Sequence, residues 1–541
     1  MNLILTGFMG TGKTTIGREA AERLARTFVD MDDEIVARAG KPIPCIFAED
    51  GEPAFRAVEA AVCADLSARD GLVIATGGGA LVNPANRAVM QRSGVVVCLD
   101  AEPDEILRRV GDDDGRPLLN VPDPAARIAE LLATRRDAYG AIPWHVQTAG
   151  QSVDGVVAQV LALAQTITLP VRYPGGEYPI HIGRGLLAYL GGALRAAGVR
   201  EETAIAIVTN TVVGPLYAEQ VEAALRDAGY RPFVCTIPDG EQHKTLDTVR
   251  ALYDEFLAGQ LDRSGVVLAL GGGVTGDIAG FAAATFMRGT RFVQVPTSLL
   301  AMTDASVGGK TGVDLPQGKN LVGAFKQPEF VLIDLNVLHT LPEAEFRSGM
   351  AELLKHGVID VPELFEGITN HESRIMNHEL RITTYESPIP NPQLPIPYLA
   401  RSLQVKVAIV EEDPFERGRR AVLNLGHTSA HGLEQVSDFT LRHGDAVSIG
   451  MVVAARIAEA LGRAELGLAA RIAATLAAWG LPVTCPPYSV DAVWAAMTHD
   501  KKRQGKGLRW ILPRAIGDVE IADDVPESLV KQILVEMGAM E

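Results

Sequence analysis

The sequence predicts an α/β protein in three parts: a doubly wound parallel sheet, a second α/β region, and a mainly α-helical C-terminal region. Three observations predict it. Short apolar runs alternate with helix-period stretches over the first part, the alternation resumes at Ala204, and beyond Pro342 long helical patterns replace strand-like runs. Strand and helix signals in alternation imply a parallel sheet covered on both faces. A chain of 541 residues exceeds what one core serves. We place the boundaries near residues 167 and 340, giving parts 1–166, 167–340 and 341–541.

In the first part NLILT (2–6), LVIAT (72–76) and VVVCL (95–99) read as buried strands, because unbroken runs of branched apolar residues suit a sheet with two covered faces. Residues 14–26 and 54–68 have helical periodicity, and a helix over about 153–164 closes the part. The texture then changes: ITLPVRYPGGEYPIHI (167–182) reads as two strands joined at Pro-Gly-Gly. AIAIVTN, FVCTIP, VVLALGGG and FVQVP restore the alternation, and stretches such as 447–461 and 466–479 make up the helical part. ESPIPNPQLPIP (386–397) holds five prolines and reads as a loop.

Composition narrows the function. Hydrophobic residues at 47% and charged residues at 22% are an ordinary globular mixture. A net charge of −17 argues against nucleic acid, whose phosphates need a basic face, although a local cluster of Lys and Arg still suits a small anion. Five scattered cysteines without a CxxC pair read as reduced thiols. The start of the chain shows no basic leader or cleavage site, and the apolar stretch 265–287 is broken by glycines and Asp277. We therefore expect a cytoplasmic chain with no membrane span.

GFMGTGKT (7–14) fits GxxxxGK[ST] between a strand and a helix, the context a phosphate cradle requires. Backbone N–H groups of Gly10, Thr11, Gly12, Lys13, Thr14 and Thr15 would wrap the phosphates of ATP at a helix N-terminus. Lys13 would reach the β and γ phosphates, and Thr14 would hold Mg²⁺. A glycine-rich turn that binds nothing is the bland alternative, and the full strand, loop, Lys-Thr and helix run argues against it.

GFMGTGKTTIGREAAERLARTFVDMDDEI, IFAEDGEPAFRAVE, ATGGGA and GRPLL, in that order, resemble shikimate kinase over roughly residues 1–140. The resemblance implies a P-loop kinase that phosphorylates shikimate at its 3-position. It places Asp30 with Thr14 at Mg²⁺, and Asp32 at the acceptor hydroxyl. Arg56 and Arg135 would hold the substrate carboxylate, with Gly77, Gly78 and Gly79 beside it; paired guanidinium groups suit a planar carboxylate. Arg109 at ATP and Arg116 at the transferring phosphoryl group fall in the lid segment, whose closure would exclude water. One feature departs from the family: residues 139–161 contain no arginine to pack on the adenine.

GGGVTGD (271–277) follows an apolar run and opens a helical stretch, as a pyrophosphate-binding turn would. Alone it is no better than a structural turn. GHTSAH (426–431) sets His427 and His431 on one helix face, His443 lies in RHGDAV, and Glu352 lies in MAELLKHG. Two imidazoles and a carboxylate with an open position are a catalytic zinc pattern. His145, His181, His371 and His378 read as core or surface residues.

GGGVTGDIAGFAAATFMRG, PTSLLAMTDASVGGKTGVDLPQGKNLVGAF, GMAELLKHG, LNLGHTSAHGLE and HGDAVSIGM together resemble 3-dehydroquinate synthase, from about residue 170 to the end. The resemblance implies a Rossmann-like NAD-binding α/β domain followed by a helical metal-binding domain. Zinc, with cobalt as an alternative, would sit on Glu352, His427 and His443, with His431 a catalytic neighbour. NAD contacts map to Asp239, Gly240, Glu241, Gln242, His243, Lys244, Gly273, Val274, Thr275, Gly276, Asp277, Thr297 and Ser298, and to Leu338, His339 and Thr340. Lys310 and Lys319 match positions serving cofactor and substrate. Arg288, Asp304, Asn320, Lys355, Lys406, Arg420 and Asn424 match substrate positions, with Arg420 reaching a neighbouring subunit of a homodimer. One of Lys501 and Lys502 would face the phosphate.

The implied reaction converts 3-deoxy-arabino-heptulosonate 7-phosphate to 3-dehydroquinate. A ring hydroxyl is oxidised by NAD⁺ with zinc's help, phosphate is eliminated, and the hydride returns, so NAD⁺ is not consumed. The alternative is a small-molecule kinase fused to a metal- and NAD-dependent polyol dehydrogenase, which would need no phosphate pocket. A degenerate regulatory half is a third reading, weakened by the joint presence of Lys13, Asp32, Arg116, Glu352, His427 and His443.

Overall fold

In the computed structural model, residues 1–110, 121–369, 394–416, 418–502 and 508–541 are described, without the side chains of 499–502. Arg116, His371, His378, residues 386–393 of the proline-rich stretch, and the side chains of Lys501 and Lys502 lie outside that description. The chain forms two units. One comprises Met1–Ile167, Gly183–Thr203 and Gln220–Pro232; the other comprises Thr168–Ile182, Ala204–Glu219 and Phe233–Glu541.

The first unit is built on β1 (Asn2–Thr6), every residue of which is buried. Around it lie β2 (Thr27–Asp30), β3 (Leu72–Ala75), β4 (Gly94–Asp100) and β5 (Trp144–Gln147), all parallel, in the order β2-β3-β1-β4-β5. The sequence placed β1, β3 and β4. It missed β2 and β5 at the sheet's edges, where TFVD sets only two apolar residues between polar ones and WHVQ alternates apolar and polar, so neither shows a long apolar run. The chain leaves β1 toward β3 on one side and β4 on the other, which opens a crevice at the carboxyl end of β1. The phosphate loop lies there. Gly7, at φ +128°, has no room for a side chain, since a Cβ would sit 2.2 Å from the Leu99 carbonyl oxygen.

The second unit has a seven-stranded sheet of β6 (Ile167–Tyr173), β7 (Gly176–Gly183), β8 (Ala204–Asn210), β9 (Arg231–Ile237), β10 (Val266–Gly271), β11 (Arg291–Pro296) and β14 (Val331–Asp334). Its order is β6-β7-β14-β11-β10-β8-β9, and β10 pairs in parallel with β8 and β11. Between β11 and β14 an antiparallel hairpin of β12 (Lys310–Leu315) and β13 (Gly318–Phe325) carries the lysine-rich motif. The sequence did not show this hairpin, because its three glycines dilute the alternation. Helices Glu343–Ile359, Ile396–Glu412, His427–Val436, His443–Ala460 and Leu468–Ala478 form the C-terminal part. A second missed hairpin, β15 (Trp510–Ala515) and β16 (Asp518–Ala522), lies among them with Trp510 buried. No helix among the described residues is long and apolar enough to cross a membrane.

Helix Gly273–Thr285 lies close against the sheet and the β12–β13 hairpin. A Cβ on Gly280 would lie 2.4 Å from Thr311 Cγ2 and 3.0 Å from the Phe292 ring. Gly280→Ala is therefore expected to lower stability by about 1–3 kcal/mol through overpacking, although alanine favours the helix itself. A fall in the urea midpoint of unfolding checks this.

Candidate active sites

In the first unit the loop after β1 opens helix Lys13–Leu24 through Gly12, whose φ of +91° makes it a left-handed N-cap. Lys13 Nζ donates to the Gly7 and Phe8 carbonyl oxygens, both at 2.9 Å, and so lies across the loop. Thr14 Oγ1 donates to Asp30 Oδ2 at 2.9 Å, bringing the two expected Mg²⁺ residues together. Asp30 also caps helix Met31–Ala39 by accepting from the Asp32 N–H. That cap sets Asp32 on the same ledge, facing Gly77: a Cβ there would sit 2.9 Å from Asp32 Oδ1. Burial, with the charge of Asp30, raises the Asp32 pKa above its ordinary value, and Lys13 opposes the shift.

The carboxylate-binding groups converge on the same glycines. Arg135 Nη1 donates to the Gly78 carbonyl at 3.0 Å, and the Tyr139 hydroxyl donates to the same oxygen at 2.6 Å. Arg56 lies over Gly79 and is held by Glu59 at 2.8 Å. Glu59 is buried, escaped the sequence reading, and has its pKa raised by that burial although Arg56 opposes it. Arg109 bridges Gly10 and the end of β5: its guanidinium donates to the Gly10 carbonyl at 3.4 Å and to Thr148 Oγ1 at 2.9 Å.

In the second unit the glycine motif sits at the carboxyl end of β10. Gly273, Val274, Thr275 and Gly276 form the first turn of helix Gly273–Thr285, and the Thr297 N–H donates to the Gly271 carbonyl at 3.0 Å. Ser298 lies against Gly272. Lys244, almost wholly buried, meets Asp277 at 2.7 Å and Asn320 Oδ1 at 2.6 Å. Burial pushes Asp277 up to about 6, although Lys244 pulls the other way. Asp239 accepts from Asn210 Nδ2 at 2.7 Å, and Gly240 caps the short turn Glu241–His243 that contains Gln242. Leu338, His339 and Thr340 lie on a 3₁₀ turn, where Thr340 Oγ1 meets the Tyr217 hydroxyl at 2.5 Å.

A cavity of about 610 Å³ follows, lined by Asp304, Lys310, Asn320, Lys355, Lys406, Arg420, Asn424 and His427 among others. Asp304 accepts from Lys406 Nζ at 2.6 Å, which holds its carboxyl well below the usual range against the effect of burial. Glu416 pairs with Lys310, a contact the sequence gave no sign of. Two expected substrate residues are not among those lining it: Arg288 is exposed, and Lys319 lies over the Phe439 ring at 4.3 Å and near Glu241. Arg420 is 3% exposed and lines the cavity of its own chain, with Nη1 donating to the Pro414 carbonyl at 2.8 Å.

Glu352, on helix Glu343–Ile359, is wholly buried, and Oε1 takes no hydrogen bond. His427 Nε2 stands 3.7 Å from that oxygen and His443 Nε2 3.4 Å. Ligand atoms about 2.1 Å from a tetrahedral ion stand about 3.4 Å from one another, so this spacing fits a shared cation. The other ring nitrogens agree. His427 Nδ1 meets the Leu425 carbonyl at 3.2 Å and His443 Nδ1 meets Glu434 at 3.3 Å, which orients both Nε2 atoms inward. Burial pushes His427 down to about 3; His443 resists the same burial because Glu352 and Glu434 push it up to about 10. His431 packs edge-on to His427 at 5.5 Å and is not one of the three converging groups. A second grouping, Cys98, Asp100 and His145, is closed by a direct 2.7 Å bond from His145 to Asp100 and offers no comparable gap.

Residues 234–348 match the family model "3-dehydroquinate synthase N-terminal" and residues 349–503 match "3-dehydroquinate synthase C-terminal". The 3-dehydroquinate synthase of Microcystis aeruginosa is 44% identical over 369 residues, covering 68% of this chain and 98% of that protein. The chain belongs to the 3-dehydroquinate synthase family. The synthase of Synechocystis is 45% identical, covering 68% of this chain and 99% of its own. A structure of ValA, a 2-epi-5-epi-valiolone synthase from Streptomyces hygroscopicus with NAD⁺ and Zn²⁺ bound, is 28% identical with a TM-score of 0.60, covering 68% of this chain and 98% of that one. Residues 9–165 match the family model "Shikimate kinase". The chain is therefore a fusion, a kinase joined to a carbon–oxygen lyase.

Among the residues that sequence reasoning missed, Glu59 and Glu434 had a signal, since both sit one helical turn or two from a motif residue. The raised Asp32 pKa generates an expectation for the kinase. Its ionised form is lost as pH falls through a value above the ordinary carboxylate range, so the acid limb of kcat/KM for shikimate should lie above about pH 4. Asp32→Asn should cost about 10²–10⁴-fold in rate and remove that limb, as a pH–rate profile would show.

Proposed function

We propose that the two sites perform ATP-dependent 3-phosphorylation of shikimate, and conversion of 3-deoxy-arabino-heptulosonate 7-phosphate to 3-dehydroquinate with release of phosphate. One observation supports the second assignment above others: His427, of the Glu352, His427 and His443 group, lines a cavity that also presents Lys310, Lys355, Lys406 and Arg420. A polyol dehydrogenase would need the metal group but not four cations.

In the kinase, Arg56 and Arg135 fix the acceptor's carboxylate against Gly77, Gly78 and Gly79, which turns its hydroxyl toward Asp32. Asp32 accepts the hydroxyl proton as the phosphoryl group arrives, while Lys13 neutralises charge on the phosphates. Thr14 and Asp30 would hold Mg²⁺, and Arg109 would lie along the nucleotide. Arg109 thus answers the missing arginine after residue 139.

In the synthase, Glu352, His427 and His443 would hold zinc or cobalt. Asp239, Lys244 and the turn at Gly273 would hold NAD. When bound, the metal polarises a substrate hydroxyl and NAD⁺ provides a hydride acceptor. The chain's own groups do the rest. Lys310, Lys406 and Arg420 bind the acid and phosphate groups of the substrate, and Asp304 keeps Lys406 charged and aimed into the cavity. Lys355, whose ammonium donates to the Leu423 carbonyl at 2.7 Å and touches Glu352, fixes that carboxylate. His431, one turn beyond His427 with its ring 5.5 Å away, would pass a proton.

The synthase part would work as a homodimer. Met287 and Arg288 are exposed and both left-handed, at φ +49° and +70°, a strain usually kept for a function.

Release of phosphate from the seven-carbon substrate by the purified chain is expected to need only catalytic NAD⁺, to stop on chelation, and to leave no net NADH. Steady NADH formation from a simple polyol would contradict the assignment. Glu434→Gln is expected to weaken zinc binding by about 10–100-fold, measured by chelator competition, because His443 loses its orienting partner.

A further inference from the structure

The first unit does not end where the kinase match ends. It takes in Gly183–Thr203 and Gln220–Pro232, which lie beyond residue 165 and before the synthase match begins at residue 234. Part of this added segment packs on helix Pro124–Gly140, the helix that carries Arg135 and Tyr139. The contacts are of four kinds. At the helix end, a Cβ on Gly140 would fall 3.0 Å from Arg195 Cδ and 3.3 Å from its Cγ, so the Arg195 stem lies directly on that glycine. Just past the helix, helix Leu190–Ala196 approaches the backbone: a Cβ on Gly192 would fall 2.2 Å from the Pro143 carbonyl oxygen. The Tyr189 ring stands edge-on to Trp144 at 6.0 Å. Finally, Glu201 joins Arg136 at 2.5 Å to Arg195 at 3.7 Å.

These contacts bear on one mechanical element. Arg135 and Tyr139 both bond the Gly78 carbonyl, and they sit in the last two turns of the helix. Their height over the glycine loop is set by where that helix ends. On the inner side the end is fixed by His145, whose Nε2 meets the Tyr139 carbonyl at 3.1 Å while Nδ1 is held by Asp100. On the outer side it is covered by Tyr189, Gly192, Arg195 and Glu201. The ion pair is half-exposed and adds little by itself. The close backbone approach and the buried stem are what define a position.

We propose that the segment from Tyr189 to Glu201 is a positioning element of the kinase site, setting Arg135 and Tyr139 for the acceptor carboxylate from outside the kinase sequence itself. A small displacement of a clamp residue is costly in catalysis because the reacting groups must meet within a narrow range. The element acts on acceptor binding. It touches neither the phosphate loop nor Asp32. The proposal rests on Arg135 being the group that grips the acceptor.

The test uses the full chain and four variants. Gly192→Ala favours its own helix yet blocks the approach to Pro143. Arg195→Ala removes the stem, and Arg195→Lys restores it. Arg135→Lys reports on the site itself. Gly192→Ala and Arg195→Ala are expected to raise KM for shikimate about three- to ten-fold, with KM for ATP and synthase turnover unchanged, and Arg195→Lys to behave as the parent. The proposal is overturned if shikimate KM in both variants stays within about two-fold of the parent, or if kcat, both KM values and synthase turnover decline together. If Arg135→Lys also leaves shikimate KM unchanged, the assignment of Arg135 fails. If it raises KM while the other variants do not, only the positioning element fails.

Discussion

A carboxylate at zero exposure is the constraint around which the second unit is organised. Burying an ionised group without partners costs far more than a fold can spare. Glu352 meets this cost with converging groups: the Lys355 ammonium one turn along the same helix, the His443 imidazole at the start of a second helix, and the His427 imidazole, which burial favours as neutral, at the start of a third. Lys355 holds the Glu352 carboxyl well below its usual range despite complete burial. Glu352 and Glu434 push His443 up to about 10 against the same burial. A divalent cation would take the place of the proton on His443, while burial already favours the neutral form of His427 that a ligand needs. Three helices are thus tied to one point, and the cavity wall is built from their neighbouring residues.

The kinase site solves a different problem with different means. Its charges are mostly half-exposed, and its precision comes from backbone. The left-handed turn at Gly12 aims N–H groups, the Asp30 cap fixes Asp32, and the Gly78 carbonyl anchors Arg135 and Tyr139 together. Such a site depends on where helices begin and end. That is why packing at the far end of helix Pro124–Gly140 bears on substrate binding.

Much of this was legible in the sequence, and the limits have physical reasons. Runs buried on both faces, such as NLILT and VVLALG, announce strands; edge strands such as WHVQ do not, because half of each faces polar surroundings. Helical spacing paired His427 with His431, and it took the resemblance to 3-dehydroquinate synthase to set Glu352 and His443 beside His427 as the metal group. Its supporting carboxylate, Glu434, sits on the same helix as His427, but its contact with His443 forms only after two helices pack. The same holds for Glu416 on Lys310, which are 106 residues apart.

X-ray absorption at the zinc edge of the loaded full chain tests the central claim most directly. The account predicts a first shell of two imidazole nitrogens and one carboxylate oxygen plus solvent, all at about 2.0–2.2 Å, in a site that is lost in His443→Ala. A sulfur contribution near 2.3 Å, or an unchanged spectrum in that variant, would contradict it.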